Sequence, residues 1–143
     1  MNTGSRPSFN ALGVAAEITE ALAETGITHA FAIQEYTLPI ALKGSDVIGQ
    51  ARTGMGKTLG FGIPVLDRVF DDAAVTAPDG TPRALIVVPT RELCLQVTDD
   101  LTAAAKNLRV PVGAEGASPG KSKTRALQVQ AVYGGVGFEK QTA

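Results

Sequence analysis

The chain has 143 residues, of which 44% are apolar and 19% charged, and its net charge is −1; this is the composition of a soluble globular protein of at most one ordinary domain. No apolar run approaches the roughly 18 residues of a membrane span. Met1 to Ser8 lacks the apolar centre of a secretory signal, and the single cysteine, Cys94, excludes an internal disulfide or a cysteine-based zinc cluster. A cytoplasmic location is the expectation, and the charge balance by itself gives no electrostatic reason to expect a nucleic-acid partner.

Residues Ala15 to Glu24 place Ile18 and Leu22 four apart, with Gly26 just beyond, which predicts a short amphipathic helix with a glycine stop. A second helix is predicted over Ile33 to Leu42, stopping at Gly44, with Pro39 inside it to kink it or bring its end forward. Asp46 to Ile48 reads as a short buried strand that runs into the glycine-rich segment Gly49 to Gly56, and a helix follows through Val69. Ala84 to Val88 is a continuous apolar run between Pro82 and Pro89, as expected of a strand buried on both faces of a parallel sheet. Thr90 is placed to cap a helix to about Asn107, with Leu93, Val97, Leu101 and Ala104 on one face. Val110 to Val112 and Leu127 to Tyr133 are candidate further strands. This alternation predicts an α/β fold with a mostly parallel sheet flanked by helices. Asp71 to Pro82 and the stretch 113–125, whose core Gly113 to Lys123 is rich in Gly, Ser, Pro and Lys, read as flexible surface loops.

The segment between the first predicted strand and its helix carries chemistry. Ala51-Arg52-Thr53-Gly54-Met55-Gly56-Lys57-Thr58 matches the phosphate-loop pattern, except that Ala51 stands for the usual first glycine. Gly54 and Gly56 let the backbone curl so that consecutive N–H groups point at an anion, to which the following helix presents its positive end. Lys57 supplies a charge for the β- and γ-phosphates and the Thr58 hydroxyl a ligand for Mg²⁺, which makes these two the candidate catalytic residues and Thr58 the candidate metal ligand. Arg52 is expected to face solvent. A second Gly-Lys-Ser ending, Gly120-Lys121-Ser122, follows Pro119, has Glu115 at the first glycine position and has no strand leading in; it reads as a solvated loop, with a minor role for Lys121, Lys123 and Arg125 on a nucleic-acid backbone as the alternative.

A phosphate loop alone leaves kinases, GTPases, transporters and helicases open. Three further segments resemble the DEAD-box RNA helicases, and the resemblance runs from Phe9 to the end of the chain. Gly26-Ile27-Thr28-His29-Ala30-Phe31-Ala32-Ile33-Gln34 is similar to that family's Q motif, with Phe9 in the position of its isolated upstream aromatic. The resemblance implies that Gln34 reads the adenine edge, as an amide can by accepting from the amino group and donating to a ring nitrogen. Phe9, Ile27 and Gln34 thereby join Ala51 to Thr58 as candidate cofactor-binding residues. Ala30 and Phe31 replace the family's usual Pro-Thr pair, so the contact of that threonine with the phosphate loop is expected to be lost. Pro89-Thr90-Arg91-Glu92-Leu93 matches motif Ia letter for letter, and Gly134-Gly135 stands where the family has its double glycine. By resemblance, Pro89, Thr90, Arg91, Glu92, Gly134 and Gly135 are candidate RNA-backbone contacts. For the motif Ia segment the alternative is a strand-to-helix turn capped by Thr90.

The resemblance implies a RecA-like fold, ATP and Mg²⁺ as cofactors, and RNA as partner, with 1–143 as the N-terminal part of the first RecA-like domain and a Q-motif-like region over 9–34. No Asp-Glu-Ala-Asp sequence follows Gly135, the Ser-Ala-Thr motif is absent, and no second RecA-like domain is present. The chain alone is therefore expected not to turn over ATP, and a non-catalytic nucleotide- or RNA-binding fragment is the alternative reading. A GTPase is disfavoured because no Asn-Lys-x-Asp occurs. His29, Cys94 and the adjacent Asp99 and Asp100 are expected to be neither catalytic nor metal-binding.

Overall fold

The computed structural model describes residues 6–71, 81–111, 124–135 and 137. Four α-helices dominate it: α1 over Ala16–Glu24, α2 over Ala32–Ala41, α3 over Lys57–Asp71 and α4 over Arg91–Ala104. A 3₁₀ turn, Asn10–Leu12, precedes them.

Each helix is bounded by local chemistry that the sequence foreshadows. At the end of α1, Gly26 takes φ +83°, and the Gly26 and Ile27 N–H groups return to the carbonyls of Ala23 and Leu22 at 2.9 and 3.0 Å, which gives two of the helix's terminal carbonyls a partner. The turned chain then meets the N-terminal segment. Ser8 and His29 form an antiparallel bridge, and the Ala30 N–H donates to the Pro7 carbonyl at 2.9 Å. α2 starts at an extended Phe31 whose N–H is taken by Gln34 Oε1 at 2.8 Å, the reach-back half of a capping box. Pro39 does not bring the end of α2 forward: the helix continues to Ala41, and Gly44, at φ +84°, closes the turn that follows. Thr90 caps α4: its hydroxyl accepts from the Leu93 N–H at 3.2 Å.

The helices pack with α3 between α2 and α4. Gly62 makes the close approach to α4 possible, because a Cβ there would run into the Leu101 side chain. Phe9, Ile18, Leu22, Leu38, Ile63, Leu101 and Leu108 form the fully buried centre of the core. Of the face expected for α4, Val97, Leu101 and Ala104 are buried and Leu93 is half-buried. Lys106, just beyond α4, pairs with Glu24 at the end of α1. That hydrogen bond and charge hold the Glu24 carboxyl below its ordinary range. Both side chains are largely exposed, so the pair contributes little to stability.

The sheet differs from expectation. Among the described residues the only paired strands are β1, Arg109–Pro111, and β2, Thr124–Ala126. They are antiparallel, with Arg109 opposite Ala126 and Val110 opposite Arg125, so among the described residues no two strands pair in parallel. Residues 46–48, 84–88 and 127–133 form no ladder. Ile48 is fully exposed, and Leu85 and Val87 are 87% and 83% exposed, where the apolar runs had suggested burial. A strand exists only as a pair, because its N–H and C=O groups need a neighbour in register; here the Leu127 N–H donates to the Leu108 carbonyl at 3.1 Å, and Ile86, Val88, Leu127 and Val129 pack half-buried against the core, but no ladder extends along these runs. Thr124 and Arg125 belong to β2 rather than to the predicted loop 113–125. Val112, residues 72–80 and residues 113–123, with the Gly120-Lys121-Ser122 segment, lie outside the described residues.

Candidate nucleotide and nucleic-acid site

The phosphate-loop segment leads into the first turn of α3, with Lys57 and Thr58 as its first two residues. Gly54 and Gly56 take φ +79° and +80°, left-handed conformations that strain any residue with a Cβ. The Met55 N–H turns back to the Arg52 carbonyl at 3.3 Å. Arg52, Thr53, Gly54, Met55 and Lys57 are exposed, while Ala51, Gly56 and Thr58 are half-buried. Lys57 Nζ donates to the Ala51 carbonyl at 2.5 Å, so the ammonium is drawn into the loop's own curve.

Gln34 joins this loop to the Q-motif-like segment. Its side chain is 1% exposed, yet neither polar end is orphaned: Oε1 accepts from the Phe31 N–H, and Nε2 donates to the Gly56 carbonyl at 2.8 Å. A base edge read by Gln34 therefore has to take over one or both of these bonds. Phe31 lies beside the same glycine, and a Cβ on Gly56 would come within 2.8 Å of the Phe31 ring as well as overlapping the Gln34 amide. The contact expected to be lost with the family's threonine is thus replaced by an aromatic one. Phe9 is completely buried in the core, so its ring supports the fold and presents no face to a ligand. Ile27 is 38% exposed at the end of α1.

In the segment expected to meet nucleic acid, Pro89, Thr90, Arg91 and Glu92 are all exposed at the start of α4. The Thr90 oxygen is used as the helix cap, which leaves its O–H free to donate outward. Gly134 and Gly135 form an exposed turn, with Gly135 at φ +81°. A contact the sequence did not reveal brings these two segments together: the Arg91 guanidinium lies 4.6 Å from the Tyr133 ring centroid. Cys94 Sγ, one turn further along α4, reaches the Val132 carbonyl at 3.9 Å. Tyr133 has no signal of its own beyond its place next to the two glycines. His29 Nδ1 lies 2.9 Å from the Thr28 hydroxyl, and no group of three or more His, Cys, Asp or Glu able to hold a metal occurs among the described residues. A groove of about 440 Å³ runs between α3, α4 and residues 81–88 and 125–132, and none of Ala51 to Thr58 lines it.

Two elements of this site fit a magnesium-bound nucleoside triphosphate: a loop bent by two left-handed glycines, and a Lys-Thr pair at the start of a helix. Comparison with known proteins agrees in family. The sequence model described as DEAD/DEAH box helicase matches residues 31–138. The chain is 38% identical over 133 residues to the DEAD-box ATP-dependent RNA helicase CshA of Streptococcus pneumoniae, covering 93% of this chain and 21% of that protein. It is 34% identical over 133 residues to nucleolar RNA helicase 2-B of Xenopus laevis, covering 93% and 14%. The chain thus spans about a fifth or less of the length of these relatives. Among solved structures, the RNA-helicase Prp28 from Chaetomium thermophilum bound to ADP aligns with a TM-score of 0.70 and 28% identity over 98% of this chain and 31% of that one. A DEAD box protein from Methanococcus jannaschii aligns with a TM-score of 0.64 and 26% identity, over 94% and 31%.

Proposed function

The chain belongs to the DEAD/DEAH box helicase family, and on that premise we propose that it is the nucleotide-binding part of an ATP-dependent RNA helicase, taking MgATP on Ala51 to Thr58 and RNA backbone on Pro89 to Glu92 with Gly134 and Gly135. The observation that supports this most is the hydrogen bond from Gln34 Nε2 to the Gly56 carbonyl, which links the residue assigned to the base with the loop assigned to the phosphates.

In this reading the backbone N–H groups of 53–57 and the Lys57 ammonium hold the phosphates, and Lys57 exchanges the Ala51 carbonyl for phosphate oxygen. The Thr58 hydroxyl would hold Mg²⁺, which would supply neutralisation of phosphate charge. Arg91, steadied by Tyr133, and the Thr90 O–H meet RNA phosphates. These contacts are sequence-tolerant, since they touch backbone rather than base edges. With no Asp-Glu-Ala-Asp sequence in these 143 residues, we assign the chain binding without turnover.

Titration with a fluorescent ATP analogue tests this. Binding is expected to be competed by ATP better than by GTP, and Lys57→Ala is expected to weaken it by about a hundredfold, in line with the loss of a charged hydrogen-bond donor. Equal competition by GTP would contradict the role of Gln34, and wild-type affinity in Lys57→Ala would contradict the phosphate site. RNA-stimulated phosphate release by the chain would contradict binding without turnover.

A further inference from the structure

We propose that Phe31 is a positioning residue for the phosphate loop, seating Gly56 on its ring, and that Arg6 holds the ring in place. The proposal rests on the reading of Ala51 to Thr58 as a phosphate site, and adds two residues which that reading does not use.

The sequence around Phe31 gives it two anchors. The antiparallel bridge between Ser8 and His29 sets a register in which Arg6 stands across from Phe31, and the Ala30 N–H bond to the Pro7 carbonyl holds that register next to both. The Arg6 guanidinium lies 4.8 Å from the Phe31 ring centroid, a cation–π distance. On the other side of Phe31, its backbone N–H is bound by Gln34 Oε1. The ring is thus pinned through its face and through its main chain.

What the ring touches gives it a role. A Cβ on Gly56 would meet Phe31 Cδ2 at 2.8 Å and the Gln34 amide closer still, so the Cα of Gly56 rests on a floor made of ring and amide. Thr53, Gly54, Met55 and Lys57 are exposed, which leaves the rest of the loop open to a ligand. Two left-handed glycines make this backbone soft, and a soft loop must be ordered before its N–H groups can converge on an anion, at a cost to affinity. A rigid aromatic floor under Gly56 removes part of that cost. Phe31 does this by van der Waals contact, so it cannot be replaced by a small side chain without loosening the loop.

The test uses the 143-residue chain and two probes, MgATP, and Mg²⁺ with inorganic tripolyphosphate, each competing against a fluorescent ATP analogue. Tripolyphosphate has no base, so it reports the loop alone. Phe31→Ala is expected to weaken both probes alike by about tenfold through lost preorganisation, while Phe31→Leu, which keeps the bulk, stays within about threefold. Arg6→Ala is expected to weaken both by about threefold, the scale of an exposed cation–π contact. Arg6 is exposed, so this variant tests the proposal even where Phe31→Ala does not fold. Unchanged tripolyphosphate affinity in Phe31→Ala, or in Arg6→Ala, overturns the proposal, as does a loss confined to MgATP, which would put the ring on the base. Absence of binding by the wild-type chain overturns the nucleotide site itself, whereas wild-type binding with insensitive variants overturns only the role of Phe31 and Arg6.

Discussion

The phosphate loop and the apolar runs 84–88 and 127–133 are both irregular segments next to α3 or α4, but they are held in opposite ways. The loop is tied at Gly56 by Gln34, at Ala51 by Lys57 and against the Phe31 ring. The runs have no ladder partner among the described residues, and Leu85 and Val87 stand in the open. Glycine turns and the helix start shape the first arrangement locally, and Gln34 and Phe31, more than twenty residues earlier in the chain, complete it with a side-chain hydrogen bond and an aromatic contact. The second kind of segment depends on neighbouring strands: Ile86, Val88, Leu127 and Val129 pack half-buried against the core, while the alternate residues Leu85 and Val87 stay in the open.

The contrast can be broken by substitution. Leu101 is buried against α3 at Gly62, and Leu101→Ala is expected to cost about 3 kcal/mol and to lower the melting temperature by about 10 °C or more. Leu85→Ala, at an 87% exposed position, should stay within about 0.5 kcal/mol. Comparable losses in calorimetry would mean that residues 84–88 are buried in solution and that the contrast is false.

Thr90→Ala comes next in size. Loss of the bond from the Leu93 N–H is expected to cost about 1 kcal/mol in chemical denaturation, with Thr90→Ser recovering most of it. An Ala variant as stable as the wild type would show that the start of α4 is held by other contacts.

The smallest effect is expected at Asp67 on α3. Burial pushes its carboxyl above the ordinary range, Asp71 and Glu17 push the same way, and a backbone hydrogen bond from Ala15 opposes them. A carboxyl whose folded pKa is raised disfavours folding when charged. That penalty is full above the folded value and vanishes below the unfolded one. Asp67→Asn should therefore raise the melting temperature by about 1–2 °C near neutral pH and make no difference at about pH 3, below the ordinary carboxyl range. A stabilisation that persists in acid would assign the effect to packing rather than charge.

These differences explain what was legible in the sequence. All four helices are found within a few residues of their predicted spans, because Gly26, Gly44 and Thr90 mark their ends by mechanisms that act locally. The strand near Val110 starts one residue early, at Arg109. The runs at 46–48, 84–88 and 127–133 read as strands because apolar continuity signals burial, but it cannot name the partner that burial requires. At the candidate site, the residue types of Ala51 to Thr58 and the position of Gln34 were visible as motifs. The Phe31 ring under Gly56 and the Tyr133 ring beside Arg91 were not, since both contacts join segments far apart in the chain. The departure from Pro-Thr at Ala30 and Phe31 was the one signal, and it pointed to a missing contact rather than a substituted one.

Hydrogen–deuterium exchange of the chain with and without MgATP tests the central claim most directly, because it reads the loop and the apolar runs in one experiment. The account predicts that MgATP protects amides within residues 51–60, while 84–88 and 128–133 exchange rapidly in both states, Leu127 being held by its bond to the Leu108 carbonyl. Unchanged exchange at 51–60 under saturating MgATP, or protection confined to 84–88, would contradict it.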